Sequence, residues 1–226
     1  MKGGGVPVHG GVPVPGGAPV KDTAAPRHVV ERHVAFTGRV FSIVTDHVQL
    51  ADGTVVVRDV MAHPGAVAVI AYRDPGEVLL VRQYRHPVGR DMWEPPAGLL
   101  DIAGEDPLAA AVRELHEEAD AVAEDWHVLL DLFTSPGGSS EAIRIYLARG
   151  ISEVPHADRF AREAEEREMI SRWVPADEVL AGIAAGALQS PTLISGILAL
   201  DAARRAEWAT LRPPDAPWTR ASETRF

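Results

Sequence analysis

The sequence predicts an α/β or α+β domain. Short β-rich segments recur along the chain, two helix-opening signals of one kind (Asp106-Pro107 and Ser190-Pro191) interrupt them, and no internal repeat organises the pattern. At 226 residues the chain is one ordinary domain, or one domain with appendages. Hydrophobic residues make up 46% and charged residues 24%, a globular composition.

The elements follow in order. Residues 1–27 hold seven glycines and five prolines, too little side chain to bury, and predict a disordered tail. Val34–Thr45, His47–Leu50 and Thr54–Val60 read as strands, with a turn at Ala51-Asp52-Gly53. Ala66–Tyr72 and Glu77–Tyr84 read as buried strands joined by the turn Asp74-Pro75-Gly76. Residues 95–105 read as loop, and Asp106-Pro107, a cap residue before a proline, opens a helix. Strands follow at Trp126–Phe133 and Ala142–Ala148, a charged stretch at Ser152–Glu168, and a strand at Met169–Val174. Helices close the domain at about Ala176–Ala185 and Ser190–Ala206, and three prolines after Leu211 predict a loose tail.

Composition excludes several functions. The chain has no cysteine, so it carries no disulfide, thiolate zinc site or cysteine nucleophile. A formal net charge of −10 disfavours nucleic-acid binding, which needs clustered Lys and Arg. The longest clean apolar run, Ala66–Tyr72, is far short of the roughly 20 residues that span a bilayer. The N-terminus has no apolar core of a signal peptide, and the expected location is the cytoplasm.

The helix over Pro107–Asp120 carries the chemistry. Leu108, Val112, Leu115 and Ala119 fall on one narrow apolar stripe. Glu114, Glu117 and Glu118 share another face one turn long, and Arg113 stands four residues before Glu117, close enough to pair with it. One cation does not balance three anions, and like charges this close cost on the order of a few kcal/mol per pair. A hard divalent cation removes that cost, and Mg²⁺ is the usual choice where phosphates are also bound. Read alone, such a face is more often that of a solvated acidic helix, because Glu-rich helix faces are common.

The loop before the helix narrows the choice. Gly98 is followed after six residues by Glu105, and Glu105 after seven by Arg113-Glu114-Leu115-His116-Glu117-Glu118. This array resembles the Nudix hydrolase box. It departs from that pattern by one extra residue between Gly98 and Glu105, which a loop accommodates cheaply. It also has Asp120 where the box ends in glycine. That position takes a left-handed conformation, and an aspartate there is a mild stability defect that leaves the carboxylates intact.

Flanking segments resemble the ADP-ribose pyrophosphatase branch of that family: Val81–Gly98 (VRQYRHPVGRDMWEPPAG), Thr134-Ser135-Pro136-Gly137, and the acidic stretch Glu163–Met169. The resemblance covers about residues 34–206. It implies a Nudix α/β/α sandwich with a mixed sheet over residues 64–210, preceded over residues 28–63 by a small antiparallel β domain that exchanges across a homodimer. It implies Mg²⁺, with Mn²⁺ as the alternative, held by Glu114 and Glu118 with Glu117 close by and the Ala97 carbonyl as a further ligand. Glu166 would activate the attacking water, with Glu168 the runner-up. Arg85 would bind the diphosphate, Phe41 and Arg58 would sandwich the adenine partly across subunits, and Trp93 either lines the site or is core. Gly98, Glu105 and Arg113 would be structural, the last two pairing to fix the loop on the helix. The implied reaction converts ADP-ribose to AMP and ribose 5-phosphate. The rivals are the same chemistry on NADH, a nucleotide sugar or a diadenosine polyphosphate, and a non-catalytic ADP-ribose sensor.

Overall fold

The computed structural model describes residues 20–155, 157, 159, 168–218 and 220. Two sheets form. The first is a three-stranded antiparallel sheet of β1 (His28–Thr37), β2 (Ser42–Gln49) and β3 (Val55–Ala62) in that order. Val34–Thr45, expected as one strand, is in fact parts of two, divided at Gly38–Phe41. The chain reverses through Gly38–Phe41, where the Gly38 N–H donates to the Phe41 carbonyl at 2.9 Å. A Cβ at Gly38 would stand 2.9 Å from that oxygen, so glycine is what lets the hairpin close there.

The second sheet is mixed. Its path runs β10 (Ile170–Pro175), β5 (Glu77–Arg85), β4 (Ala66–Arg73), β9 (Ala142–Glu153) and β8 (Ala121–Phe133). β4 and β9 are parallel and the other neighbours antiparallel. Two short strands inside the expected loop and its approach, β6 (Arg90–Glu94) and β7 (Ala97–Leu99), pair with β5 and β4.

Side-chain alternation along β4 and β9 divides the core into two layers. Ala66, Ala68, Ile70, Ile143, Ile145 and Leu147 face α2 (Ala176–Ala184) and α3 (Pro191–Arg205), meeting Val179, Leu193, Ile197 and Leu200. Val67, Val69, Ala71, Tyr146 and Ala148 face α1 (Pro107–Ala119). The domain is thus the α/β/α sandwich expected, preceded by a small antiparallel sheet.

Two expectations are corrected. The buried face of α1 is Ala110, Ala111, Leu115 and Ala119, while Val112 is 41% exposed. Small alanines let the helix lie close to the sheet, and they rotate the buried face away from the larger valine. The tail beyond Leu211 is also not loose through residue 218. Arg212 exchanges backbone hydrogen bonds with Val128 (3.0 and 3.3 Å), and Ala216 is buried beside α1. Residues 1–19, most of Glu163–Met169 and residues 221–226 lie outside the described residues.

Candidate active site

Three local features fix α1. The Asp106 side chain accepts from the N–H groups of Leu108 (2.8 Å) and Ala109 (3.3 Å), and Pro107 occupies the first turn. At the other end Asp120 takes φ 50°, ψ 39°, and its N–H donates to the Leu115 and His116 carbonyls. This is the left-handed cap that the box reserves for glycine.

The loop is tied to the helix by one cation. Arg113 gives a two-pronged contact to Glu105 (Nε 3.0 Å, Nη2 3.1 Å) and spends Nη1 on Glu114 (2.6 Å) and Glu117 (3.1 Å). The Arg113 contact holds the Glu105 carboxyl below its ordinary pKa, and Glu105 in turn raises the Arg113 guanidinium above its own. A Cβ on Gly98 would lie 1.9 Å from Glu114 Oε1, so the missing side chain is the space the carboxylate occupies. Glu118 Oε2 accepts from the Ala97 N–H at 2.9 Å, joining the helix to β7.

Among the described residues no group of three or more His, Asp or Glu is drawn round a common point close enough to hold an ion. The donor set nevertheless suits a hard divalent cation: carboxylate oxygens from Glu114, Glu117 and Glu118, the last of them tied to the Ala97 backbone. The Arg113 guanidinium already sits on two of the three carboxylates, a positive charge standing where positive charge is wanted.

The other expected residues are distributed as follows. Arg85 ends β5 and is held by Glu94 through Nε (3.1 Å) and Nη2 (2.5 Å). Glu94 is a buried carboxylate that the sequence reading passed over. A single acid between Trp93 and Pro95 in an otherwise apolar run was the available signal. Trp93 is half-buried against the α2/α3 core layer, with Arg82 5.9 Å from its ring centre. Phe41 is exposed in the β1–β2 reversal, and Arg58 is exposed on β3 opposite Asp46. Arg58 pairs with Asp46, five residues beyond Phe41, so within one chain Phe41 and Arg58 stand roughly 17 Å apart along the strands. Glu168 is exposed just before β10; Glu166 lies outside the described residues.

A junction near the box joins the two sheets. Met61 N–H donates to the Gly138 carbonyl (2.8 Å) and the Met61 carbonyl accepts from Ser140 N–H (3.0 Å). His63, largely buried, places Nε2 3.6 Å from Glu141, which also accepts from the Thr134 hydroxyl. Burial lowers the His63 pKa, and Glu141 opposes the shift. The Gly65 carbonyl accepts from Leu100 N–H (3.1 Å), so Thr134–Glu141 and the box loop meet at one end of the sheet.

Residues 62–192 match the family model of the NUDIX domain. The chain belongs to the Nudix family. Its Nudix box is the Gly98–Glu118 array just described. The chain is 42% identical over 182 residues to an ADP-ribose pyrophosphatase of Mycobacterium tuberculosis, covering 80% of this chain and 86% of that protein. It is 35% identical over 141 residues to an ADP-ribose pyrophosphatase of Bacillus subtilis, covering 62% and 74%. A crystal structure of an ADP compounds hydrolase shares the fold at a TM-score of 0.68, with 19% identity over 83% of this chain and 98% of that one. No helix among the described residues is long and apolar enough to cross a membrane.

Proposed function

We propose that this Nudix hydrolase cleaves ADP-ribose to AMP and ribose 5-phosphate as a cytoplasmic homodimer using Mg²⁺, with Mn²⁺ able to replace it. The observation that carries the substrate is the 42% identity over 80% of this chain to the mycobacterial ADP-ribose pyrophosphatase. The chemistry is supported by the Gly98–Glu118 network.

Glu114 and Glu118 would hold the metal, with Glu117 beside them and the Ala97 carbonyl as a further ligand. When bound, the metal supplies neutralisation of the diphosphate and acidification of a bound water. That neutralisation matters in a protein of net charge −10, which otherwise repels an anionic substrate. Arg85, fixed by Glu94, presents its remaining guanidinium edge to the diphosphate. Glu166, or else Glu168, takes the proton of the attacking water. The new P–O bond forms as the P–O–P bridge breaks, and the bridging oxygen leaves with the other phosphate.

Phe41 and Arg58 would sandwich the adenine, each site taking one of the pair from each subunit. Their separation along one chain's sheet favours that arrangement over a stack within a single chain. The exposed Val30, Val34, Phe36, Val55 and Val57 of the same small sheet supply apolar surface for the dimer. Trp93 would contribute from the floor.

The test is AMP release from ADP-ribose with and without Mg²⁺, beside NADH, a UDP-sugar and diadenosine tetraphosphate. Mg²⁺-dependent AMP from ADP-ribose alone supports the reading. Preference for another compound keeps the box and overturns the roles given to Phe41, Arg58 and Arg85. Turnover of none, with ADP-ribose still raising the melting temperature, makes the protein a sensor.

A further inference from the structure

The segment from Leu211 to Trp218 is built into the domain by a buried cation. Arg144, on β9, is 3% exposed. Its Nε and Nη2 hold Asp131 at 2.8 and 3.1 Å. Its Nη1 donates to the Ala216 carbonyl at 2.7 Å, and Nη2 also reaches the Pro217 carbonyl at 3.3 Å. The Trp218 ring lies 4.9 Å over the guanidinium. Arg212 adds a second contact to Asp131 at 2.8 Å, beside its backbone pairing with Val128. A buried arginine so fully used is costly to place unless every donor finds a partner, and the C-terminal carbonyls are the partners.

This cluster shares the core layer that seats the helix of the box. Ala216 packs in the same core layer as Ala110, Ala111, Leu115 and Ala119, the whole buried face of α1. Tyr146, two residues further along β9 and on the same face as Arg144, is buried in that layer too. One buried arginine therefore ties the C-terminal segment into the core layer that seats the helix carrying Glu114, Glu117 and Glu118.

We propose that Arg144 and the segment 211–218 are positioning elements for the box: the segment is a strap, locked by Arg144, that sets where α1 lies on the sheet. The proposal rests on the reading of α1 as the carrier of the metal-binding carboxylates. Arg144 touches no reacting atom in this scheme; it acts through Ala216. Because a shift of about 1 Å in a catalytic group can cost 10²-fold, a small movement of α1 changes rate before it changes folding.

The test compares full-length variants with a control destabilised elsewhere. Arg144→Lys keeps the charge but loses the planar fork, Ala216→Leu overfills the core layer shared with α1, and Trp218→Ala removes the ring over Arg144. The control is Ile197→Ala on α3, in the opposite core layer. Two readouts are needed: kcat and KM for ADP-ribose, and Mn²⁺ binding to the substrate-free protein. Each strap variant should lose about tenfold or more in kcat with KM within about twofold, and should need more Mn²⁺ for half-occupancy. Ile197→Ala, compared at equal loss of melting temperature, should change neither. If Arg144→Lys does not fold, Ala216→Leu and Trp218→Ala decide. Strap variants whose kcat and Mn²⁺ titration track those of Ile197→Ala overturn the proposal. Should wild-type protein not hydrolyse ADP-ribose, the reading of substrate fails, and the Mn²⁺ titration still judges the strap.

Discussion

In the box, Arg113 is shared among Glu105, Glu114 and Glu117, and α1 is capped and packed within a single chain. On the three-stranded sheet, Phe41 and Arg58 stand far apart in register, and valines and a phenylalanine face outward. The same chain thus finishes one half of its proposed chemistry internally and leaves the other half open. Bond-breaking needs carboxylates held to a fraction of an ångström, which local ion pairs and a backbone cradle supply. Recognition of a base needs two flat groups on either side, which a second copy can bring.

The largest effect is expected at Glu118. Glu118→Gln should reduce turnover by orders of magnitude while the melting temperature stays close to wild type; a near-wild-type rate removes this residue from the chemistry. Gly98→Ala comes next. Its Cβ would fall on the Glu114 carboxylate, so we expect about a 10²-fold loss in kcat and a stability loss of about 1–3 kcal/mol, read by steady-state kinetics and denaturant titration. For the open half, Phe36→Asp charges a side chain that is 56% exposed on the small sheet. It should give monomers in sedimentation and raise KM about tenfold, more than it lowers kcat; a monomer with unchanged KM would separate the adenine site from the dimer.

Two smaller effects sharpen the picture. Asp120 sits at φ 50°, ψ 39°, so Asp120→Gly should stabilise by about 1 kcal/mol, or roughly 2–4 °C in melting temperature, and leave kcat unchanged. His63 is the gentlest probe. Burial lowers its folded pKa, so the neutral form is the native one. As pH falls below about 6.5 the unfolded chain takes up a proton that the folded chain resists, and stability declines until the folded value is passed. Melting temperature between pH 7.5 and 5.5 should therefore fall less steeply in His63→Gln than in wild type.

Much of the fold was readable, because its signals are local. Asp106-Pro107 and Ser190-Pro191 do open helices, and Asp74-Pro75-Gly76 does join β4 to β5. The misses are non-local. Val34–Thr45 is interrupted by Thr37-Gly38-Arg39, too slight a break to fix a reversal by itself; the pairing of β1 with β2 is what makes it one. β6 and β7 are short and bounded by glycine or proline, and they exist because β5 and β4 offer edges. The spacing of Gly98, Glu105 and Arg113–Glu118 was legible as a motif. Glu94 behind Arg85, and Arg144 holding the C-terminal segment, were not, because a buried ion is defined by partners distant in the chain. Prolines 213, 214 and 217 suggested looseness, whereas their segment offers carbonyls that need no N–H of their own.

The parallel pairing of β4 with β9 bears on how the protein folds. It joins Ala66 to Ile143 and Ala71 to Ala148, so the chain between must close a loop of 77 residues at the middle of the sheet. Loop closure on that scale costs roughly 4 kcal/mol of chain entropy before any contact returns it. Such distant pairing predicts a slow, high-contact-order folding reaction. α1 lies inside the loop. Its turns can nucleate early from their own cap, but they have no floor until the two strands meet. Folding intermediates that lack this closure should show helical signal without hydrolysis, and activity should return in one late phase together with protection of the β4 and β9 amides.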